Sequence, residues 1–474
     1  MKSPFSVLLI AISMLMLPAS SNAGEPEQNN LKGYYTPDIV RNQLELQFNS
    51  NSYFNAAESS TGAQNTVSTY DALDLRGNVL ANLQRYINTR KLISTLSIGV
   101  ASTGNFNHQI SELTNDLQLM PDRNKSYTTH TTNQLGVEWI NNRYVGQNLF
   151  LYYSLGANLT HAYNFSRVIR ESDLQSYENK SSVRTRSALL IPGLGIGFGR
   201  IERVEDMRQA IYIVDAIQQA GRLNRNLTKD ELFRFSQLIS GVKNKRFLDS
   251  RLHLIDEITT VDGFLKEIGL VDNSDAAYFT NLYDMWQHGD LFGRKSGSEV
   301  RLRMLPRFTF TNTQSRLNSM IPDTNHLIID QNNAFYGQAE LQYTYEKPFR
   351  LNWQHSVHAG SLASLTKSMM TETTFPTYTS AEIYGGYQLG FYPSTRTYLQ
   401  AGISQSVWGG KDENATNWTL LAQTELQSAL YYYVSRQLRV SGSFNVNRLW
   451  NQLLPTTSKQ LSLRLNTTLT YYIF

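Results

Sequence analysis

Residues 461–474 read Leu-Ser-Leu-Arg-Leu-Asn-Thr-Thr-Leu-Thr-Tyr-Tyr-Ile-Phe, with Leu461, Leu463, Leu465, Leu469, Tyr471 and Ile473 on one parity and Ser462, Arg464, Asn466, Thr468 and Thr470 on the other. A period of two describes a strand with one apolar face. The same pattern appears upstream, where Leu73, Leu75, Val79, Ala81 and Leu83 alternate with Asp74, Arg76, Asn78, Asn82 and Gln84. It recurs at 44–48, 92–100, 149–159, 300–310, 335–345, 349–357, 383–391, 399–407, 418–430 and 438–446, with less regular versions near 131–140 and 183–198. The alternation predicts an all-β antiparallel architecture of about fourteen strands, within about 12 to 16.

Connection lengths test this independently. Short links at 86–90, 141–147, 346–348, 392–395 and 435–437 alternate with polar stretches rich in Asn, Ser and Thr at 55–71, 103–129, 165–181, 312–333, 366–378, 409–416 and 450–459. A soluble sandwich or propeller explains the period but not this asymmetry, whereas a membrane barrel has short turns at one end and long loops at the other. Tyr472 and Phe474 end the last strand in aromatics. This ending resembles the C-terminal assembly signal of bacterial outer-membrane β-barrel proteins. The resemblance implies a transmembrane barrel in the outer membrane of a Gram-negative bacterium, with the outer-membrane lipid and the barrel assembly machinery as partners. No specific family follows from it. Residues 1–23, with Lys2, an apolar stretch and Ser21-Asn22-Ala23, read as a cleaved signal peptide.

Composition narrows the remaining choices. The chain has no cysteine, which removes disulfides, thiolate nucleophiles and sulfur-ligated metals. A net charge of +4 gives no case for nucleic acid. His355 and His358 fall on opposite faces of a strand, and His253 and His288 lie in different helices without metal spacing. No catalytic set, metal site or cofactor motif emerges, and Gly195, Gly197 and Gly199 lack the spacing of a dinucleotide fingerprint.

Residues 200–295 break the pattern, carrying 29 charged residues in 96 positions against 53 in the other 378. Val204, Met207, Ile211, Val214 and Ile217 follow helical spacing and stop at Gly221, while Thr228 and Glu231 form a capping box. The expected division is a first barrel part at 24–199 with about six strands, a helical insertion at 200–297 with four or five helices, and a second barrel part at 298–474 with about eight strands. An even strand count starting in the periplasm puts the insertion on the periplasmic side. Gly193, Gly195, Gly197 and Gly199 form a bare inward strip before it, and Arg301, Arg303 and Arg307 an inward ladder after it. Two arrangements follow from these residues: part of the bundle plugs the lumen against the glycines, its acids clamped by the arginines, or the bundle hangs free in the periplasm. Pro192 and Pro306 each interrupt a flanking strand, and pairing Gly199 with Glu299 brings these prolines opposite one another as a weak seam.

The expected function is a channel or translocation pore for a polar or anionic solute, gated or plugged by the insertion. The alternative is an outer-membrane anchor whose bundle docks a periplasmic protein. In either case the last strand must pair to remove the sheet edges. Deletion of Phe474 should therefore sharply reduce membrane assembly, and normal heat-modifiable migration of the deletion variant would contradict the terminal-signal reading.

Overall fold

In the computed structural model the alternating segments form one antiparallel sheet, in which nearly every strand pairs with its neighbours in the sequence. The structure describes residues 34–61, 66–114, 122–172, 176–245, 253–272, 274–288, 293–319, 326–370, 373–394, 396–434, 438–453 and 456–471. The segment read as a signal peptide, and the terminal Tyr472 and Phe474, lie outside these. Before the helices come β1 (Ile39–Thr61), β2 (Thr66–Asn88), β3 (Leu92–Thr114), β4 (Asp122–Tyr144), β5 (Leu149–Glu171) and β6 (Ser176–Arg203). After them come β7 (Lys295–Met304), β8 (Arg307–Ser319), β9 (His326–Arg350), β10 (Trp353–Met370), β11 (Thr373–Thr374), β12 (Tyr378–Phe391), β13 (Thr397–Asp412), β14 (Thr419–Tyr433), β15 (Leu438–Leu453) and β16 (Thr456–Tyr471).

These are sixteen strand segments where about fourteen were expected, and the surplus has a local cause. β7 and β8 share the neighbours β6 and β9 and occupy one wall position, broken at Leu305 and Pro306, while β11 is a two-residue piece beside β10. Among the described residues β1 and β16 are the two edges of the path.

The stretches expected to be long loops are largely strand. β1 to β5 each run 23 residues and β6 runs 28, so 55–61, 66–71 and most of 103–129 and 165–181 continue the ladder. A membrane-crossing strand needs only about 9–11 residues. The polar ends carry no apolar alternation, but antiparallel pairing satisfies their backbone all the same.

The register separates two faces. Leu44, Leu83, Ile98, Val137, Ala157, Leu190, Phe308 and Phe335 lie directly opposite one another across β1–β6, β8 and β9. Tyr345, Val357, Tyr387, Ile403, Leu426, Val446 and Leu463 continue such a row across β9 to β16. This apolar face is open to the surroundings: Leu194 is 70% exposed and Leu465 71%. The opposite parity carries Glu45, Asp74, Arg76, Glu138, Glu340, Glu382, Glu425, Arg439 and Arg464, as the alternation predicts. That face is concave. Arg200 on β6 donates to Asn88 Oδ1 at 2.8 Å and to the carbonyl of Thr89 at 3.0 Å, in the turn between β2 and β3. In a flat sheet those elements stand three or four spacings of ~4.8 Å apart, beyond one side chain's reach.

The helices are α1 (Glu205–Gln219), α2 (Lys229–Lys243), α3 (Leu254–Glu267) and α4 (Ala276–His288). β6 and β7 pair out to Arg203 opposite Lys295, so the helical insertion spans 204–294 rather than 200–297. Val204 N–H donates to the Arg294 carbonyl at 2.9 Å and closes its neck. Among the described residues the largest apolar core lies here, where Met207, Ile213, Ile217, Phe235, Ile239, Val261, Leu265 and Leu282 are fully buried. Gly221 at φ +66° ends α1 as expected, and the Thr228 and Glu231 capping box is formed.

Arg225 and the Thr228 backbone hold the Glu231 carboxyl down to about 2. A depressed carboxyl contributes stability above its ordinary value of 4.5 that is lost as pH falls toward about 2. Hydrogen exchange of the α2 amides, corrected for intrinsic rates, should show this loss between those limits. Thr228→Ala should weaken the same amides by about 1 kcal/mol at neutral pH. Unchanged protection in the variant would show that tertiary packing alone holds the helix.

Candidate functional site

The inner face of β5, β6 and β7 is built from three-residue rows. Phe150 lies opposite Gly197, which lies opposite Arg301; Tyr152, Gly195 and Arg303 form the next row. With no side chain on the middle strand, the ring from one side meets the guanidinium from the other. Arg301 stands 5.8 Å from the Phe150 ring centre and 5.0 Å from that of Tyr152, and Arg303 stands 5.8 Å from Tyr152. A Cβ at Gly197 would meet the Phe150 ring at 2.1 Å, and one at Gly193 would meet Ser154 Oγ at 2.2 Å. One at Gly195 would meet the Leu302 carbonyl oxygen at 2.3 Å. The glycine strip does receive a close approach, as inward glycines suggest. What approaches is the side chains of β5 and the backbone of β7, not a helix, and this corrects the plug contact expected at Gly193, Gly195 and Gly197. Gly199 has a different role: at φ +107° it turns the strand, and Arg200, outward by strict alternation, comes 4.8 Å over the buried Tyr144 ring.

The arginine ladder is likewise satisfied within the sheet. Arg301 pairs with Glu299 at 2.5 Å, and Arg303 pairs with Glu340 at 2.7 Å. Tyr384 donates to the other Glu340 oxygen at 2.7 Å. Arg307 stands 5.4 Å over the Tyr336 ring. Among the described residues none of the three reaches an acid of the helices, so the expected clamp is not formed. Glu299 shares the face of Arg301 two residues away, and Glu340 is directly opposite Arg303. A carboxylate already across the ladder needs no ordering of a distant element. Arg307, exposed and without a carboxylate partner among the described residues, is the member of the ladder whose charge remains available.

A second inner-face feature escaped the strand-by-strand reading. Gln400, Glu425, Gln427, Ser443, Asn445, Ser462 and Arg464 line a polar recess of about 500 Å³ across β13 to β16. Parity alone marked Glu425 and Arg464 as inward; their convergence depends on the register between Asn445 and Arg464 and between Glu425 and Asn447.

The bundle sits at the short-turn end. Arg294 donates to the carbonyls of Leu351 and Trp353 in the β9–β10 turn and to Gln354 Oε1 at 3.1 Å. The ring of Tyr392, in the β12–β13 turn, lies between Arg294 at 5.0 Å and Arg208 of α1 at 5.3 Å. Burial, reinforced by the charge of Arg208, holds the Arg294 guanidinium down to about 10. Asp284 of α4 reaches Arg396 at 3.7 Å, and Phe233 of α2 packs at 5.9 Å on Tyr34, which precedes β1. The helices therefore stem from β6 and β7 and touch both the lead-in to β1 and the turns between β9 and β13. On a curled sheet these points lie around much of one rim. Lys243, at the end of α2, is engaged with Asp206 of α1 at 3.1 Å.

The ladder along β6 is interrupted where the prolines fall. The β6–β7 pairing ends at Leu194 opposite Met304, and β6–β8 pairing resumes at Leu190 opposite Phe308, leaving Pro192 and Pro306 in the gap. On the flanking sides the wall is intact: Leu155 faces Pro192, and Leu305 N–H donates to the Gln338 carbonyl at 2.8 Å.

No family model and no curated protein matches the chain. The solved structures it resembles are bacterial outer-membrane β-barrels. They include the translocator domain of the autotransporter NalP from Neisseria meningitidis, at 7% identity, TM-score 0.24 and 94% of each chain. Another is OccAB3 of Acinetobacter baumannii, at 9% identity, TM-score 0.23, and 91% of this chain and 98% of that one. A third is the outer-membrane expressed OmpT of Vibrio cholerae, at 8% identity, TM-score 0.24, and 87% of this chain and 100% of that one. At such values the function must be read from the chain's own geometry.

If Gly197 is the bed of the Phe150 ring, Gly197→Ala should destabilise the wall by about 1–3 kcal/mol. The lowered temperature of heat-modifiable migration would read this. Gly136→Ala, with nothing within 4 Å of its Cβ, should stay within about 0.5 kcal/mol of the parent. Equal effects at both positions would dismiss the ring-over-glycine account.

Proposed function

We propose that β1 and β16 meet to close a barrel in a Gram-negative outer membrane, and that this barrel is a channel for polar solutes whose short-turn mouth is capped by the helical bundle. The observation that carries the reading is inverted polarity: apolar rows face outward, and charged residues line the concave side. In water such a face would be a large aggregation hazard, and in lipid it is the required one. Closure follows from the same setting, since each unsatisfied edge group in hydrocarbon costs several kcal/mol.

The solute path runs past the polar recess on β13 to β16 and past Arg307. Arg301 and Arg303 are neutralised by their own carboxylates and stiffen the wall. The bundle is a cap on the mouth, held at the turns by Arg294, Arg208 and Tyr392. An anion preference then rests on Arg307 and Arg464, neither of which has a carboxylate partner among the described residues. A second reading, of an anchor that docks a periplasmic protein, is supported by Phe279 and Tyr283, four residues apart on α4 and 40% and 38% exposed.

Single-channel recording of the full chain and of a variant with 205–293 replaced by a short glycine linker tests this proposal. Conductance should rise severalfold on removal of the bundle. Arg307→Gln with Arg464→Gln should shift selectivity toward cations, whereas Arg303→Gln should lower thermal stability with little change in selectivity. A pore of unchanged conductance without the bundle would reject the cap. Absence of any pore in either protein would favour the anchor reading.

A further inference from the structure

We propose that the outer face of β5, β6 and β8, at the edge of the apolar belt far from the bundle, binds a phosphorylated glycolipid of the outer leaflet. This rests on the membrane reading and on the orientation that places the bundle in the periplasm.

Strand arithmetic locates the edge. On β6 the outward positions Ala188, Leu190, Pro192, Leu194, Ile196 and Phe198 are apolar. Ten residue steps at ~3.3 Å, tilted by ~45°, span a height of about 25 Å, the apolar band of an outer-membrane barrel. The next outward residue is Arg186, and the one after it is Arg184. β5 agrees, because its outward run from Leu149 to Leu159 ends at His161, which lies directly opposite Arg186. On β8, Arg316 faces outward opposite Ser182, diagonal to Arg184. Successive same-face positions are ~7 Å apart along a strand, and diagonal neighbours are about 7–8 Å apart. Three guanidiniums and an imidazole thus gather where headgroups would lie.

Their partners separate this cluster from an ordinary charged surface. Farther out, Arg167 and Lys180 are consumed by Glu178, the latter at 3.1 Å. Arg184, Arg186 and Arg316 are exposed, and among the described residues no carboxylate pairs with them. Arg184 lies 5.9 Å over the Tyr163 ring, which orients it without neutralising it. A planar guanidinium presents paired donors to phosphate, and two or three of them match a doubly charged monoester.

The belt just below offers a place for acyl chains. Ala188 sits directly between Leu159 and Phe310, and this dip opens into a mainly apolar groove of about 670 Å³ that Arg186 and His161 border. Apolar floor and cationic border lie in the order that acyl chain and phosphate have in a glycolipid. A phosphodiester lipid offers one charge and fewer free oxygens, which fits three arginines less well.

The test uses the full chain. Flotation with phosphatidylcholine vesicles first checks the membrane reading, and failure to float would remove both that reading and this site. Native mass spectrometry from detergent then measures binding of diphosphoryl lipid A, of the same lipid with its phosphates removed, and of phosphatidylglycerol. Saturable binding of the diphosphoryl form alone is expected, with at least a tenfold loss in R184Q/R186Q/R316Q, and inorganic phosphate at equal concentration should not compete. Ala188→Leu fills the groove and spares the arginines, and it should also weaken binding, which keeps the test decisive should the triple variant fail to assemble. Undiminished binding in a floating triple variant, or equal binding of the dephosphorylated lipid or of phosphatidylglycerol, would overturn the proposal.

Discussion

Backbone pairing is the constraint on which the rest of this structure depends. A strand that faces hydrocarbon has no water to satisfy its N–H and C=O groups, so each must find its partner on the neighbouring strand. Beyond the apolar belt the 23-residue strands continue the same ladder, because antiparallel pairing satisfies the backbone of their polar halves as well. The same requirement explains why the one interruption between β6 and its neighbour falls at two prolines, which bring no donor to lose. The gap is local because β5 on one side and β9 on the other still hold the wall.

Within that ladder, side-chain size decides what the inner face can do. Two rings on β5 and two arginines on β7 compete for the space above β6, and only glycines at 195 and 197 let both occupy it. The result is a partly buried, charge-compensated wall in which Glu299 and Glu340 neutralise Arg301 and Arg303. Charges placed this way stiffen one arc of the sheet. The arc across β13 to β16 has small and amide side chains instead and keeps its recess.

How far the sequence could be read follows from the range of each signal. Alternation is local, so the apolar face and the inward parity of residues such as Glu138, Glu425 and Arg464 were legible. Caps are local too, hence Gly221 and the Thr228–Glu231 box. The opposition of Pro192 and Pro306 needed only one anchoring pair and equal steps. Polar strand extensions were not legible, since Asn, Ser and Thr alternate with nothing and pairing alone orders them. Nor was the partner of Arg303, because Glu340 is 37 residues away and only the β7–β9 register brings it opposite. The glycine strip was correctly seen as a site of close approach. Its visitor was misassigned because helices and neighbouring rings leave the same mark on a sequence.

The bundle's attachment separates two sets of forces. Its core is built mainly from the helices but takes in Tyr34 from the lead-in to β1 and packs against Leu351 of the β9–β10 turn, and its neck is the β6–β7 ladder carried to Arg203 and Lys295. Its other holds on the sheet are made to turns and to the lead-in of β1: Arg294 on the carbonyls of the β9–β10 turn, two guanidiniums about Tyr392, an ion pair at Arg396 and one ring contact at Tyr34. Such contacts are individually modest, since a cation over a ring contributes about 0.5–2 kcal/mol and an exposed ion pair about 0–1. In each of them the bundle contributes a side chain and adds no rung to the ladder. A bundle held in this way rests on the rim beside the wall's own ion pairs, whereas a plug clamped by Arg301 and Arg303 would have had to break the pairs that neutralise the wall.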